Sequence, residues 1–111
     1  MAGKFELKKA KDGQFLFNLK AANGQVILTS ELYKTRSSAE NGIESVRKNS
    51  AREGAFEERI NAKGEPYFIL KATNGQEIGR SEYYASKTAM ENGMASVKKN
   101  APEAKIDDVT A

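Results

Sequence analysis

The chain has 111 residues, 39% of them hydrophobic and 30% charged, with a formal net charge of +3. That is enough for one domain with a modest core, and the charge permits an anionic partner without requiring one. Cysteine and histidine are both absent, which removes disulfides, thiolate nucleophiles, Cys- and His-based metal sites and the commonest general base. No run of about 18 apolar residues occurs and the opening MAGKFELKKA lacks a signal core, so a cytoplasmic chain with no membrane partner is expected.

Taken in chain order, three strands come first, near 5–9, 14–21 and 25–29. Phe15, Phe17 and Leu19 alternate with Leu16, Asn18 and Lys20, the period of a strand with one buried face. Side-chain parity selects the turns. A two-residue Asn-Gly turn would set Lys20 opposite Ile27. A three-residue turn over Ala22-Asn23-Gly24, with the glycine left-handed, sets Leu19 opposite Ile27 instead. The same logic over Lys11-Asp12-Gly13 pairs Leu7 with Phe17 and Phe5 with Leu19. A helix is expected over 38–48, with Ser37 and Glu40 spaced as a capping box and Ala39, Ile43 and Val46 along its apolar stripe. Gly42 lies beside that stripe at a cost of about 1 kcal/mol to the helix, so it is read as a point of close approach to the sheet.

The chain then repeats itself. A shift of 51 residues superposes Phe5-Glu6 on Phe56-Glu57, the two NGQ segments at Asn23 and Asn74, Ser30-Glu31 and Tyr33 on Ser81-Glu82 and Tyr84, and Glu40-Asn41-Gly42 on Glu91-Asn92-Gly93. Self-similarity of this kind marks one structural unit used twice. The second copy predicts strands near 56–60, 65–72 and 76–80 and a helix over 89–99, with Thr88 and Glu91 as its capping box and Gly93 as its close approach. A last extended segment over 105–110 is expected to join the common sheet. The repeats span 4–54 and 55–111 within one domain. The fold class is α+β: two β-β-β-α-β units forming one antiparallel sheet, with two helices on one face.

NGQ, SExY and a capped ENG-x-x-SV-x-KN helix, each present twice, resemble the YegP-like family of small bacterial proteins (DUF1508 and UPF0339 type), whose function is uncharacterised. The resemblance covers nearly the whole chain. It implies that the two units exchange terminal strands, and that a tandem member is a monomeric internal pseudo-dimer. It implies no activity, cofactor or catalytic residue.

Several groups compete as sites. The repeated Ser30, Glu31, Tyr33 and Ser81, Glu82, Tyr84 have ligand-binding side chains, but the favoured reading is that they satisfy backbone donors at the strand-to-helix connection. A cleft lined by Ser30, Tyr33 and Glu82 would revive an enzyme reading. Ser45 with Lys48, and Ser96 with Lys99, have Ser-x-x-Lys spacing, yet they lie late in a helix where the dipole opposes an oxyanion. Glu57-Glu58 and Asp107-Asp108 are adjacent in strands and point to opposite faces, so neither pair converges on a metal.

Two surfaces remain. Arg47, Lys48, Arg52, Lys98 and Lys99 gather after the helices and form paired basic patches suited to weak, salt-sensitive nucleic-acid contact. Parity also assigns Leu16, Val26, Leu28, Tyr67 and Ile69 to the sheet face away from the helices, more apolar surface than solvent requires. A non-catalytic interaction module with a protein partner is therefore the leading reading, and no enzyme or cofactor is expected.

Overall fold

Each unit starts as a three-stranded meander because its turns fix the register. The computed structural model describes residues 3–52 and 54–110, so Ala111, the end of the second repeat's expected span, lies outside them. Strands β1 (Lys4–Lys9), β2 (Phe15–Lys20) and β3 (Val26–Ser30) precede helix α1 (Arg36–Asn49). Strands β4 (Phe56–Ile60), β5 (Pro66–Lys71) and β6 (Glu77–Arg80) precede α2 (Lys87–Asn100), a 3-10 turn over Ala101–Glu103, and β7 (Lys105–Asp108). The three-residue turns are present. Ala21 N–H bonds the Gln25 carbonyl at 2.9 Å, and Gly24 has φ +86°, which glycine adopts without steric cost. Phe5 pairs with Leu19 and Leu7 with Phe17, as the alternation requires.

The sequence register fails at one place in each unit. A bulge at Leu19/Lys20 pairs Leu19 with Leu28 rather than Ile27, and its copy at Leu70/Lys71 pairs Leu70 with Gly79. An extra residue on one strand resets the alternation beyond it. Leu28 therefore turns to the helix side, where it is 1% exposed and part of the core, and it is not on the open face.

Among the described residues, seven strands form one sheet in the order β4-β5-β6-β3-β2-β1-β7. Five pairings are antiparallel, but β7 runs parallel to β1. The sheet is mixed, which corrects the all-antiparallel expectation at one edge. The units meet where β3 pairs with β6, Thr29 facing Arg80 and Ser30 facing Gly79. Thr29 and Arg80 are copies of each other under the 51-residue shift, so the pseudo-two-fold axis passes between them. Of the exchange that the resemblance implied, one strand crosses between the units: β7, which follows the second helix, completes the first unit's edge.

Both helices start earlier than their sequence signals. Thr35 caps α1 by accepting from Ser38 N–H, and Ser86 caps α2 by accepting from Ala89 N–H. Neither first turn holds an acidic residue, so the Ser37–Glu40 and Thr88–Glu91 boxes do not form. Ala39, Ile43 and Val46 from α1, with Met90 and Val97 from α2, enter a single core with Phe5, Phe17, Leu19, Phe68 and Leu70. Helix α1 lies over β2 and reaches β5 and β6, while α2 lies over β5 and reaches β3. Each helix thus covers strands of both units. No helix among the described residues is long and apolar enough to cross a membrane.

Candidate functional site

The repeated serine and tyrosine are committed to the fold. Ser30 Oγ accepts from Phe17 N–H at 2.9 Å and donates to the Glu31 carbonyl at 2.8 Å. Ser81 Oγ does the same with Phe68 N–H at 3.0 Å and the Glu82 carbonyl at 2.8 Å. Each hydroxyl replaces a ladder bond where its strand leaves the sheet. Tyr33 stacks on Phe17 and Tyr84 on Phe68, both with interplanar angles of 10°. Each phenol fills the space that a Cβ at Gly42 or Gly93 would take: that atom would lie 2.8 Å from Tyr33 Cζ or 2.7 Å from Tyr84 Cζ. Burial, with the nearby Glu31 or Glu82 carboxylate second, raises both phenols above their ordinary 10.0. They stay protonated at neutral pH and cannot act as bases there. Tyr33 also lines a groove of about 190 Å³ with Ser38, Gly42, Ser45 and Gln76; Ser30 and Glu82 do not line it.

Most of the basic cluster is engaged within the molecule. Arg47 pairs with Glu44, donates to the Ala104 carbonyl, and lies 5.4 Å from the Phe5 ring centre. Arg52 donates to Asn49 Oδ1 at 3.0 Å and to the Lys71 carbonyl at 2.9 Å. Lys98 sits 5.5 Å over the Phe56 ring. Lys48 and Lys99 are exposed and occupy equivalent places in two grooves. Asn41, Ser45, Lys48 and Asn49 line one of about 530 Å³, closed by Ala72 and Thr73 of the other unit. Asn92, Ser96, Lys99 and Asn100 line the other, of about 430 Å³, closed by Ala21 and Ala22. Ser45 and Ser96 are held in these grooves by Asn49 Nδ2 and Asn100 Nδ2, each at 3.2 Å.

The open sheet face is more ionic than its sequence pattern implies. One row crosses all seven strands: Glu57, Ile69, Arg80, Thr29, Asn18, Glu6 and Asp107. Lys20 and Lys8 hold Glu6 at 3.0 and 3.1 Å and lower its carboxyl pKa, Lys20 foremost. Lys71 and Arg59 do the same for Glu57. Ile69 is fully buried despite lying on this side, so it presents nothing to a partner. Leu16, Val26 and Tyr67 are half-buried there. Around Tyr67 a cluster forms that parity alone did not find. The Tyr83 ring meets Tyr67 edge-on at 5.2 Å, and Arg80 lies 6.0 Å from the Tyr67 ring centre while pairing with Glu77 at 3.1 Å. Tyr83 is 53% exposed, and Leu32, its copy in the first unit, 52%. The recurring apolar residue inside each SExY motif was the available signal. Beside the cluster, the neighbouring Glu77 carboxyl, with burial second, raises the Glu31 pKa above 4.5.

Among known proteins, the family described as a domain of unknown function, DUF1508, matches twice, at residues 10–57 and 61–108. UPF0339 protein MS1092 of Mannheimia succiniciproducens is 67% identical over 97% of this chain and 96% of its own. UPF0339 protein YegP of Escherichia coli K12 is 52% identical over 99% and 100%. The solution NMR structure of yegP from E. coli, described as a protein of unknown function, superposes with a TM-score of 0.94 at 51% identity, covering 100% of this chain and 96% of that one. That of UPF0339 protein SO3888 from Shewanella oneidensis gives 0.93 at 49% identity, covering 99% and 93%.

Proposed function

The chain belongs to the DUF1508 family, a domain of unknown function, and we propose that it is a non-catalytic interaction module whose protein partner docks on the second unit's half of the open sheet face. The observation that carries this reading is the Tyr67–Tyr83–Arg80 cluster. Tyrosine and arginine are the residue types that dominate binding hot spots, because they combine large contact area with polar reach. Tyr83, at 53% exposure, has that area to give up. The first unit's half, with Leu16, Val26 and Leu32, supplies an aliphatic flank. The test is a photo-crosslinking amino acid placed at position 83 in living cells, with position 91 on the exposed side of α2 as control. Discrete protein adducts from 83 and none from 91 are expected; equal patterns from both positions, or none from 83, refute the reading.

A second reading is weak, salt-sensitive nucleic-acid binding. It is favoured by the equivalent placement of Lys48 and Lys99 in the two grooves, which would present two cations related by the pseudo-two-fold axis to a phosphate backbone. Amide NMR titration with short single- and double-stranded oligonucleotides checks it. Shifts at Lys48 and Lys99 that fade between low and physiological salt support it, and their absence at low salt removes it.

A further inference from the structure

We propose that the outer edge of β4 is a docking site for an extended peptide segment of a partner protein, taken up as an eighth strand parallel to β4. The segment is apolar at the positions beside Phe56 and Ile60, and polar but uncharged at the position between them.

The chain carries its own template for this geometry. At the far end of the sheet, β7 lies parallel on β1, with Ile106 beside Phe5 and Asp108 beside Leu7. Val109 N–H bonds the Leu7 carbonyl at 2.9 Å, and Asp108 pairs with Arg36 in the first turn of α1. The 51-residue shift carries β1 onto β4 and Arg36 onto Lys87. Among the described residues the corresponding place at β4 is open: β4 ends the strand order. A groove of about 530 Å³ runs there, lined among others by Glu58, Ile60, Pro66, Lys87 and Met90. Glu58 and Lys87 are the copies of Leu7 and Arg36, the residues that hold the end of β7. Met90, 1% exposed, lies deep in the groove, and Ile60, 71% exposed, stands at its rim. The second unit thus retains the seat for a strand that the chain supplies only to the first.

The side chains around the seat select the occupant. Residues paired across a sheet share a face, so ligand residues beside Phe56, Glu58 and Ile60 all point to the helix side. Phe56 and Ile60 ask for apolar partners. Glu58 replaces Leu7, so an acid like Asp108 would meet Lys87 but oppose Glu58. A carboxamide or hydroxyl serves both, donating to the carboxylate and accepting from the ammonium. In strand addition, main-chain bonds give affinity and alternate side chains give specificity. The charges of Glu57, Glu58 and Arg59 meanwhile keep this edge from pairing indiscriminately. The site is separate from the Tyr67–Tyr83 cluster and does not rest on that reading.

The experiment is an amide NMR titration of the labelled full chain with acetyl-AKIDQVV-amide. This is the 104–110 segment with glutamine placed beside Glu58 and valine beside Ile60. Saturable shifts at residues 56–60 and 87–90 are expected. Ile60→Lys, at an exposed position that leaves the fold intact, should weaken binding about tenfold, the loss of one apolar contact. Proline at the peptide position beside Glu57 should abolish it, since the N–H there points at the β4 edge. No saturable shift at millimolar peptide overturns the proposal. So do shifts on β1 through displacement of β7, shifts confined to Tyr67 and Tyr83, or unchanged affinity in Ile60→Lys.

Discussion

Gly42 and Gly93 show how a single missing side chain positions a helix. Glycine inside a helix is less favourable than alanine by about 1 kcal/mol, so each is retained against local preference. The reason lies across the interface: a Cβ on Gly93 would sit 2.7 Å from Tyr84 Cζ and 3.3 Å from Phe68 Cε2, inside the contact distance of carbon. The close approach was legible in the sequence from the glycine's place beside the apolar stripe. Its partner was not, because Tyr84 follows the sheet and reaches the helix only through the chain reversal. Gly93→Ala is expected to destabilise by about 1–2 kcal/mol net of its helix gain, and Gly93→Leu by more. The loss should shrink in a Tyr84→Phe background, since removing the hydroxyl relieves part of the crowding. Urea unfolding of the four members of that cycle measures the coupling, and a Gly93→Ala midpoint at or above the parent's contradicts the account.

At the scale of the element, the helix starts separate two signals that look alike in sequence. Ser37 and Thr88 have a glutamate three residues on, the spacing of a capping box. Thr35 and Ser86 lack it, yet they cap. The structure places Arg36 and Lys87 in the first turn, and Glu40 meets Arg36 at 3.6 Å one turn on, so the glutamate serves an i,i+4 pair rather than the cap. The repeat could not separate the two signals: positions 35 and 86 are both hydroxyl residues, and so are positions 37 and 88. Thr35→Ala is predicted to cost about 1 kcal/mol, whereas exposed Ser37→Ala should change stability by less than about 0.5 kcal/mol. Equal losses in thermal or urea unfolding would restore the capping box. Strands were read more reliably than helix ends, because period-two alternation and glycine turns act locally. The parallel β7–β1 pairing left no such mark, since pairing direction depends on where the chain passes after α2. The Tyr67–Tyr83–Arg80 cluster likewise needs the strand-to-helix connection folded back beside β5 before its members meet.

In the whole molecule the decisive feature is the seam between units, where a sequence duplication must not duplicate everything. Thr29 and Arg80 are copies that face each other at the axis, and the copies next to them lie diagonally across it, so a large side chain used twice there collides with itself. Position 28 is leucine and its copy, position 79, is glycine. A Cβ on Gly79 would lie 2.8 Å from the Thr29 carbonyl oxygen and 3.2 Å from Leu28 Cγ. Leu28, 1% exposed, fills the space that Gly79 leaves. The bulges at Leu19/Lys20 and Leu70/Lys71 turn both positions to the helix side, and they are why simple alternation misplaced Leu28 on the open face. β3 and β6 share only two register pairs, so this large–small fit and the helices lying across both units hold the halves together. Leu28→Gly should open a cavity costing about 3 kcal/mol or more. Gly79→Leu should overpack the seam by about 1–3 kcal/mol. The double substitution moves the large residue to the other side of the axis, so it should be more stable than the sum of the single losses by at least about 1 kcal/mol, within the coupling expected of residues in contact. Urea denaturation of all four proteins gives that term directly. Strict additivity would mean that Leu28 and Gly79 are not one fitted pair and that the seam draws its stability from the helices alone.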